Sequence, residues 1–180
     1  MQLRWLPKKR PLSVLDIGCG LCTEAEELVQ SGIELTGIDQ DGETIEKNRQ
    51  RMPNVNWIVG DAAHWHTDQV YDAVLIRRPD ILMRPQSWQA VFRRLPEWTQ
   101  GPVIVTTFGK SEAKTAEQAL NKIAGKVTCR KTNDPEDSYV IQAEDIQKPQ
   151  KTNDLVQSLS WDDQPGMVCD VRTGKCTPLK

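Results

Sequence analysis

The chain has 180 residues, of which 38% are hydrophobic and 27% charged, and its formal net charge is −2. These values fit one globular domain with a modest tail, large enough to bury about two-thirds of its unfolded surface without a structural metal or disulfide. They exclude a membrane-spanning chain, because no run approaches ~20 apolar residues, and the charge balance weighs against a protein built around bulk phosphate binding. The five cysteines are an odd number, and two of them, Cys19 and Cys22, flank Gly20. That usage points to a reducing compartment. The N-terminus carries Arg4, Lys8, Lys9 and Arg10 without the apolar stretch of a signal peptide, so the expected location is cytoplasmic.

Leu12 to Ile17 is a short apolar run and reads as a first strand. Asp16 lies near its end, and Gly18 and Gly20 follow at once. A helix is expected over Leu21 to Ser31, with Glu24, Glu26 and Glu27 near its N-terminal end, where carboxylates favour the dipole. Gly32 ends it. Ile33 to Ile38 is a second strand. Asp41 is placed to cap a helix from Gly42 to Met52, which Pro53 stops. Val55 to Val59 is a third strand, closed by Gly60-Asp61. The near-continuous apolar run Val70 to Ile76 predicts a fourth strand buried on both faces.

Pro85 opens a helix that runs to about Glu97. Gly101-Pro102 turns into a fifth strand, Val103 to Phe108, and Ser111 is expected to cap a helix through Ile123. Two β-like segments follow, Lys126 to Arg130 and Ser138 to Ala143. The loop-forming stretch Thr132 to Asp137 separates them, so they read as a hairpin. The alternation defines a doubly wound α/β domain over residues 1–144. Residues 145–180 form a tail. Within it Asp145 to Asp154 is a linker by composition, Leu155 to Trp161 is a candidate to dock on the core, and Met167 to Pro178 is a small hairpin turning at Arg172-Thr173-Gly174.

A strand that runs into a glycine turn and then a helix leaves backbone N–H groups pointing outward with no Cβ in the way. Such a turn cradles the nucleoside end of a cofactor. A carboxylate just before the first glycine repels a pyrophosphate and attracts an ammonium or sulfonium group. Leu15-Asp16-Ile17-Gly18-Cys19-Gly20 resembles motif I of the class I S-adenosylmethionine-dependent methyltransferases, and the resemblance extends from about Leu12 to Ala143. Cys22 stands where that family often has a further glycine.

The resemblance implies a mostly parallel, seven-stranded Rossmann-like sheet ending in an antiparallel hairpin, with S-adenosylmethionine as cofactor. It implies that Asp16 holds the cofactor's amino-acid end, which Gly18, Cys19 and Gly20 let approach the backbone. Asp39 ends the second strand roughly 20 residues past the glycine loop, the distance at which an acidic side chain accepts from both ribose hydroxyls; Gln40 adjoins it. By the same resemblance Asp61 reads the exocyclic amine of adenine, and Ala62 offers its N–H to the ring. The plain alternative for each Asp is a helix cap or turn former. Asp72, after Tyr71, reads either as the family's aromatic–Asp pair or as structural.

Chemistry in this family sits at the end of the fourth strand, here Ile76-Arg77-Arg78-Pro79-Asp80. The Asn-Pro-Pro-aromatic signature of amide and base-nitrogen methylation is missing. Arg77 and Arg78 are candidates to hold an anionic or carbonyl-bearing acceptor bidentately; the alternative is that they pair with neighbouring acids such as Asp80. His64 or His66 is a candidate base, with Trp65 as a stacking partner, against a reading of all three as ordinary surface. Cys19-x-x-Cys22 is explained by the need for small residues in the loop, and no metal site is expected. Cys169 and Cys176 bracket the tail hairpin, and packing or an adventitious disulfide are their first readings.

The leading expectation is an enzyme that moves a methyl group to a small anionic molecule, without nucleic acid or membrane. The alternative is a non-catalytic S-adenosylmethionine-binding or scaffold module. The first strand begins at Leu12, which leaves little chain for lid helices, so the tail, a second subunit of a homodimer or a protein partner is the expected source of a lid. A nicotinamide-dependent oxidoreductase fits poorly: its fingerprint wants a third Gly or Ala where Thr23 stands, and no Asp directly before the glycines.

Overall fold

A computed structural model describes residues 5–147 and two short strands at 167–169 and 176–178. The strands are β1 (Leu12–Ile17), β2 (Ile33–Asp39), β3 (Asn56–Val59), β4 (Ala73–Arg77), β5 (Val103–Thr107), β6 (Ala124–Lys131) and β7 (Tyr139–Ile146), interleaved with α1 (Ala25–Gln30), α2 (Gly42–Arg51), α3 (Pro85–Trp98) and α4 (Lys110–Leu120). They form one seven-stranded sheet in the order β3-β2-β1-β4-β5-β7-β6. Strands β1 to β5 run parallel, and β7 is antiparallel to both its neighbours, β5 and β6. The strand order reverses between β1 and β4, and open parallel sheets take ligands outside the carboxyl ends of their strands at such a switch point.

Helices cover both faces, so the central strands are buried on both sides, as continuous apolar runs require. On one face α3 and α4 bring Trp88, Phe92, Leu95, Trp98, Ala116 and Leu120 onto Leu15, Ile17, Val74 and Ile76. On the other, Ala25 and Leu28 of α1 and Ile45 of α2 pack with Val14, Leu35, Trp57 and Leu75. Gly37 lies beneath this second layer. A Cβ there would come within 2.4 Å of the Trp57 ring and 3.0 Å of Cys19 Sγ, so the bare backbone lets the glycine loop settle onto the sheet.

Several boundaries differ from the sequence reading: α4 ends at Leu120 rather than Ile123, β6 and β7 run further than expected, and three starts differ for a local reason. Helix α1 starts at Ala25 rather than Leu21, because Gly20 (φ +51°) and Cys22 (φ +33°) sit in the left-handed region, which no α-helix continues through. Strand β4 starts at Ala73 rather than Val70. Tyr71 makes an isolated parallel bridge to Thr99, and Asp72 is fastened to Ser13: its Oδ2 accepts from Ser13 N and Ser13 Oγ, both at 2.9 Å. Helix α4 is capped at Gly109, whose N–H donates to Glu112 Oε2 at 2.6 Å, and not at Ser111. Asp41 caps α2 as expected, accepting from Glu43 N at 3.0 Å and Thr44 N at 3.3 Å.

Contacts divide the chain between Pro149 and Gln150, and β7 runs to Ile146, past residue 144. In the second unit β8 (Met167–Cys169) and β9 (Cys176–Pro178) pair antiparallel, with Cys169 opposite Cys176. The linker beyond residue 147, the docking segment at Leu155 to Trp161, the turn at Arg172 to Gly174 and Arg4 of the basic terminus lie outside the described residues. Among the described residues no helix is long and apolar enough to cross a membrane.

Candidate active site

The carboxyl ends of β1, β2 and β3 frame a crevice lined by Ile17, Gly18, Asp39, Gln40, Asp61 and Ala62, and α3 faces it with Arg84, Ser87, Trp88 and Val91. The glycine loop is fixed from several sides. Gly18 N and Cys19 N both donate to Ile38 O, at 2.8 and 3.2 Å. Gly20 N donates to Asp39 Oδ2 at 2.9 Å, while Asn48 Nδ2 of α2 donates to Gly20 O at 2.7 Å. Arg51 donates to the carbonyls of Leu21 and Cys22. Gly18 (φ +66°) has the Trp88 ring 3.3 Å from where a Cβ would stand, so a side chain there is both strained and crowded.

Asp39 and Asp61 combine local turn bonds with a face on the crevice. Asp39 Oδ1 accepts from Asp41 N at 2.9 Å. Each of its oxygens thus carries one backbone bond and keeps a second lone pair. Asp61 Oδ1 accepts from Ala63 N at 2.9 Å, and its Oδ2 lies 3.0 Å from His64 Nδ1. Burial raises the Asp61 pKa, but the Ala63 N–H and the His64 ring outweigh it and hold the carboxyl below its ordinary value. Turn bonds and a face on the crevice therefore coexist in both aspartates.

Next to this crevice, Gly18 to Glu24 together with Arg77 and Arg78 line a second cavity of about 280 Å³, near the low end of small-molecule pockets. Asp16 is fully buried behind Arg77 and Cys22, two residues of the cavity lining. Arg77, whose side chain is only 6% exposed, donates to Asp16 Oδ2 at 2.6 Å and to Glu24 Oε2. The thiol of Cys22 donates to the same Asp16 oxygen at 3.4 Å. Burial works against the Arg77 charge, yet Asp16 first and Glu24 after it push its pKa up; burial raises that of Glu24, but Arg77 carries it below its ordinary value. Two carboxylates face one guanidinium here, which leaves one negative charge in excess. Asp16 Oδ1 and Arg77 Nε are buried without a hydrogen-bond partner, a costly state unless a ligand meets them.

The two arginines that adjoin in sequence diverge in space. Arg77 turns inward to Asp16. Arg78 (φ +49°) turns outward, placing its guanidinium over the Phe108 ring at 5.5 Å and its NH1 2.7 Å from Glu136 Oε2. Asp80 pairs with neither: it accepts from Arg84 Nε and Trp88 Nε1, both at 2.6 Å. His64 is 84% exposed and bound to Asp61. His66 meets Arg94 at 3.1 Å, and Trp65 stands against Trp98 with ring centroids 5.9 Å apart. Among the described residues no cluster of three or more His, Cys, Asp or Glu side chains is placed to hold a metal ion.

Sequence reasoning missed Glu24, Asn48, Arg51, Arg84 and Trp88. Asn48 was discoverable: it is a polar residue three positions after Ile45 on a helix with few other buried positions, and both are fully buried. Arg84 and Trp88 open an otherwise ordinary amphipathic helix and carry no such signal.

Residues 14–100 match the model of a methyltransferase domain family. Trans-aconitate 2-methyltransferase from Agrobacterium fabrum is 38% identical over 72 residues, which cover 39% of this chain and 28% of that protein. The chain spans about a quarter of the length of the curated relatives it matches. A Pyrococcus horikoshii OT3 protein superposes with a TM-score of 0.67 at 21% identity, over 79% of this chain and 85% of that one. Magnesium protoporphyrin IX methyltransferase from Synechocystis PCC 6803, solved with bound S-adenosylmethionine, superposes with a TM-score of 0.58 at 18% identity, over 77% and 71%. Residues 14–100 thus match a methyltransferase domain family, and the sheet order and fold are shared with solved methyltransferases, one of them with bound S-adenosylmethionine. The cofactor of that family is S-adenosylmethionine.

Proposed function

We propose that the chain transfers the methyl group of S-adenosylmethionine to a carboxylate of a small anionic acceptor. The observation that carries the cofactor half is the pair of neighbouring cavities, one flanked by Asp39 and Asp61 and the other lined by the glycine loop and Arg77, behind which Asp16 is buried with an unpartnered Oδ1. Asp39 would accept from the ribose hydroxyls with its remaining lone pairs. Asp61 and the Ala62 N–H would read the adenine, with Gln40 at the rim. Gly18, Cys19 and Gly20 would leave room for the amino-acid end, and Asp16 would receive its ammonium. The single excess negative charge of Asp16, Glu24 and Arg77 suits a ligand that brings a cation.

When bound, S-adenosylmethionine supplies an electrophilic methyl carbon whose bond to sulfur breaks as the acceptor oxygen bonds to it, the electron pair staying on sulfur. A carboxylate is already deprotonated at neutral pH, so this transfer needs no general base. Positioning supplies the rate. That fits a site whose nearest histidine, His64, is held by Asp61 at the adenine end. Arg78, at the rim of the glycine-loop cavity, is the group we assign to the acceptor's negative charge, and Arg77 is a positioning residue for Asp16. The matching relatives named for trans-aconitate, a polycarboxylate, support the same acceptor class.

Calorimetric titration with S-adenosylhomocysteine, with NADH in parallel, tests the cofactor half: binding of the former alone is expected. An assay of S-adenosylhomocysteine release with trans-aconitate and a panel of polycarboxylates tests the acceptor. Cofactor-product binding without turnover of any panel member would return the non-catalytic binding module to the lead.

A further inference from the structure

Arg78 presents an arrangement that methyl transfer alone does not explain. Its backbone is fixed, with Arg78 N donating to Thr106 O at 2.9 Å. Its guanidinium, stacked on Phe108, is only 31% exposed. Such a planar, weakly hydrated cation recognises a carboxylate bidentately, and it already holds one. Glu136 Oε2 is 2.7 Å from NH1, and Asp137 Oδ1 lies 3.9 Å from Nε.

Those carboxylates come from the β6–β7 loop, 58 residues away in sequence, and the loop is built to present them. Asp134 Oδ1 accepts from Glu136 N at 2.9 Å and Asp137 N at 3.2 Å. Thr132 Oγ1 donates to Asp137 O at 2.6 Å and accepts from Asp134 N at 3.0 Å. The backbone is therefore tied, while the Glu136 side chain remains 71% exposed. An ion pair with one partner so exposed is weak; rotation of the Glu136 side chain releases NH1 of Arg78, while Asp137 stays 3.9 Å from Nε.

We infer that Glu136 is an internal stand-in for the acceptor: it occupies the carboxylate-binding side of Arg78 in the free protein, and the acceptor's own carboxylate displaces it. The inference rests on the anionic-acceptor reading above. Glu136 then acts as a threshold on affinity and specificity. An acceptor carboxylate binds the NH1 side of Arg78 only by displacing Glu136, so an acceptor that contacts Arg78 alone gains little from the exchange. The apparent affinity is lowered by the fraction of Arg78 that Glu136 occupies.

The test is steady-state methylation of trans-aconitate by the full chain, followed as S-adenosylhomocysteine release, in the wild type, Glu136→Gln, Arg78→Met and the double variant. Glu136→Gln is expected to lower KM about two- to fivefold, the range an exposed ion pair allows, with kcat unchanged and a smaller effect at high salt. Glu136→Ala serves as a second variant with the same expectation, and unfolding midpoints control for folding. In the Arg78→Met background, Glu136→Gln should leave KM where Arg78→Met put it, which a merely structural loop residue would not do. Wild-type turnover with KM unchanged or raised in Glu136→Gln overturns the inference and leaves the anionic-acceptor reading standing. No turnover of trans-aconitate or the polycarboxylate panel, with S-adenosylhomocysteine still bound, removes that reading and the inference with it.

Discussion

The two sides of the crevice are built by opposite means. On the β2–β3 side, the groups assigned to the nucleoside are anchored by their immediate neighbours: Asp39 by Asp41 N and Asp61 by Ala63 N, each two residues on. On the β4 side, Arg77 meets Asp16 across 61 residues and Arg78 meets Glu136 across 58. The first side is a set of strand ends that any local stretch of chain can form. The second exists only once the sheet is assembled. The carboxylates on the first side keep lone pairs open to the crevice, whereas on the second side the arginines already pair with carboxylates, with Asp16 Oδ1 and Arg77 Nε left unpartnered.

This contrast predicts that damage on the β4 side reaches the fold before it reaches the ligand. Arg77→Ala leaves Asp16 as an uncompensated buried charge and should cost about 3–5 kcal/mol of stability, read as a lowered urea midpoint. A variant with unchanged stability would show that the inward arginine is no more than a neighbour. Asp39→Ala should tilt the balance the other way: stability falls by only about 1 kcal/mol from its two lost backbone bonds, and S-adenosylhomocysteine binding weakens by about 1–3 kcal/mol in calorimetry. Unchanged affinity would remove Asp39 from the site.

Asp72 sharpens the comparison from outside the crevice. Its bonds to Ser13 hold its pKa down, the backbone N–H first and the hydroxyl second, and they fasten the start of β1 to that of β4. Asp72→Ala is expected to lower stability by about 1 kcal/mol and leave S-adenosylhomocysteine affinity unchanged; an effect on affinity would favour the aromatic–Asp reading of Tyr71-Asp72. Glu24 gives the smallest effect. Its folded-state pKa lies below the ordinary 4.5 because Arg77 outweighs burial. Its stabilising contribution is therefore complete above pH 4.5 and is lost as pH falls through the lower folded value. Urea midpoints between pH 6 and pH 3 should fall less steeply for Glu24→Gln than for the wild type.

Sequence legibility followed the same division. The strand–glycine–helix order and the apolar runs at Leu12 to Ile17 and Val103 to Phe108 reflect periodicity and turn chemistry within a few residues, so the doubly wound α/β class was readable, and the resemblance supplied the seven-stranded sheet. The expected antiparallel hairpin is present as β6 and β7. The positions of Asp39 and Asp61 at strand ends were equally local. That Arg77 turns in while Arg78 turns out was not readable. It depends on a left-handed backbone at Arg78 and on acids contributed by α1's N-terminus and the hairpin loop. The late end of the glycine loop, which carries a left-handed residue as far as Cys22, was obscured because cysteine is rarely found at positive φ.

The seating of that loop has a chemical consequence of its own. Burial first and the Asp16 carboxylate second push both the Cys19 and the Cys22 thiol up, so in the closed loop neither offers a thiolate for alkylation. Cys129 is exposed on β6 and supplies an internal reference. Uptake of an alkylating reagent at Cys19 and Cys22, measured peptide by peptide against Cys129, becomes a clock for the opening of the loop. A ligand that seats there should slow the clock in proportion to its occupancy.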